Sequence, residues 1–232
     1  MSEVPIITVD GPSGTGKGTV CSFLASELGW HLLDSGALYR VLAHAALKNG
    51  VDLADAPALA ELAGNLQVEF IQENAGSGRK IYLEGEDISH TVRTEECGNT
   101  ASKIAAYPQV RKALVEKQRA FKRLPGLIAD GRDMGTVIFP EAELKLFLTA
   151  GPEERARRRY NQLIEQGIGV NLARLSAEIR ERDARDQGRT TSPLIPAPEA
   201  IVIDTTDFTV EEVNEKVLAL VRERYPGCFV DN

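Results

Sequence analysis

The chain has 232 residues, enough for one large domain or for one domain carrying an insertion. Apolar residues make up 43%, which suits a buried core, and the net charge of −7 argues against a protein that coats nucleic acid. Three scattered cysteines (Cys21, Cys97, Cys228) and three histidines without ligand spacing (His31, His44, His90) offer neither a disulfide framework nor a metal knuckle. The start is too short and too acidic for a signal peptide, and no apolar run approaches membrane-spanning length. A cytoplasmic protein with no membrane partner is therefore expected.

The first predicted strand, Ile6–Val9, leads into Gly11-Pro12-Ser13-Gly14-Thr15-Gly16-Lys17-Gly18-Thr19, and a helical run over Thr19–Leu28 follows. Strand, glycine loop and helix in this order are what a G-x-x-x-x-G-K phosphate loop requires. The glycines let successive backbone N–H groups turn toward a polyphosphate, with a helix N-terminus behind them. Lys17 adds a positive charge for the β- and γ-phosphates, so a nucleoside triphosphate is the expected ligand. Gly18 stands where most such loops place a Ser or Thr hydroxyl for Mg²⁺. Either Thr19 substitutes, or phosphates, waters and a distant carboxylate hold the metal.

Further along, His31–Leu33, Leu127–Ala129, Leu144–Leu148 and Ile201–Ile203 are short apolar runs with β character. Helical patterns separate most of them, which predicts βαβ units and a five-stranded parallel sheet covered on both faces. Ligands of such sheets sit beyond the carboxyl ends of the strands. The polar clusters lie there: Asp10-Gly11, Asp34-Ser35-Gly36, Asp130-Gly131-Arg132-Asp133 and Asp204-Thr205-Thr206. Residues from about Val51 to Tyr107 break this rhythm. Leu66–Ile71 and Lys80–Glu84 alternate like strands around a turn at Asn74-Ala75-Gly76-Ser77-Gly78, which predicts a small antiparallel insertion. A helix over Val110–Lys122 returns the chain to the core, and Pro193 to Pro198 is a proline-rich connection.

Ser35 is placed to cap the helix after the second strand, and Arg40 lies one and a half turns into it, beside the expected acceptor phosphate. Asp130 ends a core strand near the phosphate loop, where an acid holds Mg²⁺ directly or through water. Arg132 is a candidate for the acceptor phosphate and Asp133 for a base. Nine of the eighteen arginines fall between Arg155 and Arg189, a window without lysine. Arginine offers planar paired donors to phosphate, whereas lysine offers a point charge. Arg155, Arg158 and Arg159 share one side of a helix, a lid over about 153–170 able to close on ATP, exclude water and stabilise the transferred phosphoryl. On the helix Asn171–Gln187, Leu172, Leu175 and Ile179 form an apolar stripe that continues at Arg182 and Asp186, with Arg189 a turn further on. No H-R-D loop or Ser-His-Asp set occurs. That suits a phosphate acceptor, which is already ionised and needs no general base. N-K-x-D and D-x-x-G strings are also absent, which speaks against a GTPase.

Four motifs together are specific: Gly-Pro-Ser-Gly-Thr-Gly-Lys-Gly-Thr at 11–19, Leu-Asp-Ser-Gly-Ala-Leu-Tyr-Arg at 33–40, Ala-Asp-Gly-Arg-Asp-Met-Gly-Thr at 129–136 and Glu-Arg-Asp-Ala-Arg-Asp at 181–186. With them the sequence resembles, over nearly its whole length, the longer bacterial cytidylate kinases (CMP/dCMP kinases). The resemblance implies an α/β phosphate-loop kinase core at 1–50 and 108–232, with a monophosphate-binding insertion at 51–107. It implies a monomer that transfers phosphoryl from MgATP to CMP or dCMP and has no nucleic-acid partner. Gly11, Pro12, Ser13, Gly14, Thr15, Gly16, Lys17, Gly18 and Thr19 would hold ATP, with Mg²⁺ reaching Asp130 or Ser13. Arg40 and Arg132 would hold the CMP phosphate, with Ser35, Tyr39 and Arg93 among the acceptor contacts. Ser102, Arg111 and Asp133 would read cytosine, and Arg182 and Asp186 the ribose. Lys17, Arg132, Arg158, Arg159 and Arg189 would serve the transfer. UMP, another monophosphate, or ATP sensing without transfer are the competing readings.

Overall fold

Ile6 to Asp10 are buried without exception, so the first strand has no solvent face and must lie inside a sheet covered on both sides. The computed structural model describes residues 4–72, 79–165 and 167–228. In chain order the strands are β1 Ile6–Asp10, β2 His31–Asp34, β3 Val68–Gln72, β4 Arg79–Leu83, β5 Glu86–Asp87, β6 Leu127–Gly131, β7 Leu144–Thr149 and β8 Ile201–Asp204. The helices are α1 Lys17–Leu28, α2 Ser35–Lys48, α3 Ala56–Asn65, α4 Glu95–Ile104, α5 Pro108–Arg119, α6 Pro152–Glu165, α7 Leu172–Gln187 and α8 Val210–Arg224. The chain divides into two compact units, one reaching to Asp34 and resuming at Arg119, the other spanning Ser35–Gln118.

The first unit is a five-stranded sheet in the order β2-β6-β1-β7-β8. All four pairings are parallel, so every strand of this sheet ends at the same edge. Ile7, Val9, Ile128, Leu146 and Leu148 pack with Val20, Leu24, Val217 and Val221 of α1 and α8. α8 starts with a reciprocal cap, in which Thr209 accepts from the Glu212 N–H and Glu212 accepts from the Thr209 N–H. Tyr225, just past its end, packs edge-on against Trp30 and donates to the Ile6 carbonyl at 3.1 Å. α6 and α7 share a smaller cluster of Ala156, Leu163, Leu175 and Ile179.

The second unit contains an antiparallel sheet in the order β3-β4-β5. It runs wider than 51–107 because α2 and α5 share its apolar cluster. Val41, Leu42, Leu59, Ile81, Ile88, Ile104 and Leu114 are buried together there. The expected turn at Asn74-Ala75-Gly76-Ser77-Gly78 lies outside the described residues. Glu84, expected to end a strand, instead has φ 52° and forms a tight turn with Gly85, pairing Leu83 with Glu86 of β5.

Two expectations are corrected. Ser35 does not cap α2 from outside; it is the first helical residue, and its buried hydroxyl donates to Gln118 Oε1 at 2.7 Å. The apolar stripe of α7 begins at Leu175 rather than Leu172, which is 44% exposed in the first turn after the Asn171 cap. Among the described residues, Leu172 is not part of the apolar cluster that α6 and α7 share.

Candidate active site

β1 delivers the chain to the glycine loop, and two positions there admit nothing larger. Gly11 has φ 144°, and a Cβ on it would stand 2.0 Å from the Leu148 carbonyl oxygen of β7. Gly14 has φ 81°, and its Cβ would stand 3.0 Å from Arg155 Cβ. The loop thus lies flat on the start of α6. Lys17 opens α1 and is buried; its Nζ donates to the Pro12 carbonyl at 2.7 Å, and Thr15 Oγ1 donates to the same oxygen at 3.2 Å. Burial, then the Arg132 guanidinium, lowers the Lys17 ammonium to about 8, with Asp130 opposing. A lysine that exchanges one carbonyl for a phosphate oxygen gains a far stronger partner.

β6 lies beside β1 and carries the acidic turn. Asp10, the last residue of β1, accepts from the Met134 N–H on Oδ1 and from the Gly135 N–H on Oδ2, both at 2.8 Å. These two bonds fix the short π-helical turn Met134–Ile138 and, with it, Asp130, Arg132 and Asp133 just before it. Burial raises the Asp10 carboxyl to about 7, against the lowering by those two N–H groups. Asp133 is itself buried. A Cβ on Gly18 would stand 3.7 Å from Asp130 Oδ2, which places that carboxylate beside the residue that follows Lys17.

α7 faces this turn with Asp186, which is 2% exposed. Arg132 Nε donates to it at 3.3 Å, Arg182 Nε stands 4.0 Å away, and Arg189 donates to its other oxygen. Three arginines, one of them 54 positions away in the sequence, are thus gathered around one carboxylate. On α6, Arg158 donates to Glu154 at 2.8 Å, to Thr205 Oγ1 at 3.1 Å and to the Thr205 carbonyl at 2.5 Å. Arg159 donates to Gln162. Arg155 departs from its expected place on a closing face: it is 4% exposed, beneath the loop, and bonded to Ser13, Ala150 and Asp183.

The second unit holds the other candidate residues. Arg40 on α2 donates from Nη1 to the Val92 carbonyl at 2.7 Å and the Thr94 carbonyl at 3.0 Å. Gly98 on α4 gives it room, since a Cβ there would stand 2.7 Å from Nη2. Arg111 on α5 is buried, donates to the Ala105 carbonyl at 3.1 Å and lies 5.5 Å from the Tyr39 ring centre, a cation–π contact. Ser102 is buried on α4, and Arg93 is exposed at the end of the 3-10 turn Thr91–Arg93.

A family model described as "Cytidylate kinase" matches residues 7–223. The chain belongs to the cytidylate kinase family. It is 58% identical over 231 residues to the cytidylate kinase of Shewanella loihica, covering 99% of this chain and all of that one. It is 60% identical over 220 residues to the cytidylate kinase of Aeromonas hydrophila, covering 95% of each. Among solved structures, shikimate kinase from Acinetobacter baumannii in complex with shikimate is a loose likeness, with TM-score 0.46 and 16% identity over 95% of this chain and 94% of that one.

Within this cytidylate kinase fold, several structurally important groups carry little sequence signal. Asp10 is a lone acid at a strand end until its two N–H partners, more than a hundred residues away, are known. Thr205, within a polar cluster that is visible in the sequence, has Oγ1 3.1 Å from the Thr15 carbonyl and 3.1 Å from the Thr149 carbonyl. Asp183 lies among seven charged residues between Arg180 and Arg189, and nothing in their spacing marks it as the partner of Arg155. Among the described residues no group of three or more His, Cys, Asp or Glu is placed to hold a metal ion. No helix among them is long and apolar enough to cross a membrane.

Proposed function

We propose that this protein transfers the γ-phosphoryl group of ATP to CMP or dCMP, giving ADP and CDP or dCDP. The near full-length identity to relatives named cytidylate kinase carries the reading. The glycine loop and Lys17 hold the β- and γ-phosphates of ATP, and Thr15, Gly16, Gly18 and Thr19 supply N–H groups at the head of α1. The acceptor oxygen is ionised at neutral pH, so the residues need only align it and neutralise the charge that builds up.

In this reading Arg40 and Arg132 take the CMP phosphate, with Arg93, Ser35 and Tyr39 supporting acceptor binding. Ser102, Arg111 and Asp133 read cytosine; a carboxylate accepts from its exocyclic amino group, where uracil presents a carbonyl. Arg182 and Asp186 take the ribose. Arg158, Arg159 and Arg189 serve the transfer, and Arg158 must first leave the Thr205 carbonyl that it now contacts. Mg²⁺, bound with ATP, supplies charge neutralisation. The Asp130 carboxylate beside Gly18 suits it, directly or through water, and the Ser13 hydroxyl is a second group of the chain within the loop. The reading extends to a monomer acting in the cytoplasm on small molecules alone. Light scattering on the purified protein tests the monomer, and a dimer overturns that part.

The decisive test is ADP release from MgATP with CMP, dCMP, UMP, AMP, GMP, dTMP or no acceptor. Fast turnover with CMP and dCMP, slow turnover with UMP and almost none without acceptor is expected. Preference for UMP or AMP would overturn the base-reading roles of Ser102, Arg111 and Asp133. Turnover without acceptor would point to an ATPase, and none with any nucleotide to a sensor.

A further inference from the structure

The phosphate loop is held from behind, and the residue that holds it touches no expected ligand. Arg155 lies in the first turn of α6. Its Nε donates to the Ala150 carbonyl at 2.9 Å, just past β7, and its Nη1 donates to the Ser13 carbonyl at 3.1 Å. The same guanidinium makes a two-pronged pair with Asp183 of α7, Nη1 to Oδ1 at 3.1 Å and Nη2 to Oδ2 at 2.5 Å. Arg155 is 4% exposed, so its charge is satisfied by these partners and hardly by water. Its Cβ stands 3.0 Å from where a Gly14 side chain would begin, which leaves the loop no room to sink.

The consequence follows from the peptide unit. In a trans peptide the carbonyl and the following N–H point in opposite directions. Pinning the Ser13 carbonyl toward Arg155 therefore turns the Gly14 N–H away from α6, onto the face of the loop opposite the brace. A phosphate loop works by having such N–H groups already aimed when the anion arrives.

We propose that Arg155 is a positioning residue for triphosphate binding, and that Asp183 orients it. The guanidinium fork is essential to this role, because one planar group must serve the Ser13 carbonyl, the Ala150 carbonyl and both Asp183 oxygens. An ammonium keeps the charge but not that geometry. Asp183 sits one turn before Asp186 on α7. One side of that turn thus supports the donor loop, while the next gathers Arg132, Arg182 and Arg189.

The inference rests on ATP being the donor, and the test separates the two. Arg155→Lys and Asp183→Asn are made in the full chain, with Asp183→Glu as the conservative variant. Steady-state KM values for ATP and for CMP and the direct Kd for ATP are measured, at a temperature where melting curves show each variant folded. Arg155→Lys and Asp183→Asn are expected to raise the ATP KM and Kd by about 10- to 100-fold while moving the CMP KM less than about threefold. Asp183→Glu, which keeps the paired acceptor, is expected to recover most of the loss. Folded variants that bind ATP as tightly as the parent, or that lose ATP and CMP equally, overturn the positioning role. If none of the three folds, the double exchange Arg155→Met with Asp183→Leu removes the buried pair without stranding either charge. Its folded form binding ATP normally overturns the role, and weakened ATP binding alone supports it. A parent protein that binds no ATP would instead overturn the assigned donor.

Discussion

Lys17 is expected to change its partner when a triphosphate binds. In the free protein it is buried against one neutral carbonyl, and burial with the nearby Arg132 lowers it to about 8. It carries its proton below that pH and loses it above. Triphosphate binding restores a partner of opposite charge, which favours the protonated form. The kcat/KM for ATP, which reports the free enzyme, is therefore expected to fall as pH rises through about 8, while kcat at saturating ATP holds to higher pH. Lys17→Arg would remove that limb from the accessible range, because a guanidinium stays charged. A limb that is unchanged in Lys17→Arg would assign it to another group. Gly11 allows a simpler prediction. An alanine there meets both a φ of 144° and a Cβ only 2.0 Å from the Leu148 carbonyl, so Gly11→Ala is expected to cost about 2–5 kcal/mol of stability by denaturant unfolding.

At the scale of elements, α7 shows what the sequence could and could not reveal. The apolar spacing of Leu175 and Ile179, and its continuation at Arg182 and Asp186, was legible because helical periodicity depends only on local order. Leu172 misled because periodicity cannot say where a packing partner ends. The convergence of Arg132, Arg182 and Arg189 on Asp186 was not legible, since Arg132 lies 54 positions from Asp186 and arrives on the turn that follows β6. The five parallel strands were visible as short apolar runs, each ending one or two residues later in the structure. Ladder pairing carries on into polar residues such as Asp10 and Asp204. β5 was missed because its Glu84-Gly85 turn places a non-glycine residue at positive φ, which composition does not announce. The packing around Asp186 also gives a measurable consequence. Asp186→Ala would leave the Arg189 side chain, 5% exposed, and its neighbours without their shared carboxylate. A loss of about 3–5 kcal/mol is expected from chemical denaturation. Leaving the unfolding midpoint unchanged would show that the arginines are satisfied elsewhere.

For the whole molecule, the cost of this architecture falls on the carboxyl edge of the parallel sheet. The inner strands of that sheet must be apolar enough to be covered on both faces, yet their carboxyl edge collects ionisable groups. Asp10 stands where the two demands meet, at the end of a strand with no exposed residue. The unfolded chain ionises this carboxyl near 3.8 and the folded chain near 7. Below about 4 both states hold the proton, and the contribution of Asp10 to stability is at its fullest. Between those values folding must take up a proton, so that contribution falls as pH rises and levels off once pH passes about 7. Other carboxylates, such as Glu153 and Asp204, are lowered by their partners and drive stability the opposite way. A difference between two proteins that share them cancels their slopes. The stability of the parent minus that of Asp10→Asn is therefore expected to decline between pH 5 and pH 6 by about 1.4 kcal/mol per pH unit, the slope for one proton. Asparagine loses one acceptor for the Met134 and Gly135 N–H groups, but that offset does not vary with pH. Urea unfolding of both proteins across this range decides the matter. Parallel curves would mean that Asp10 is ionised throughout, held by its two backbone donors more strongly than burial opposes them.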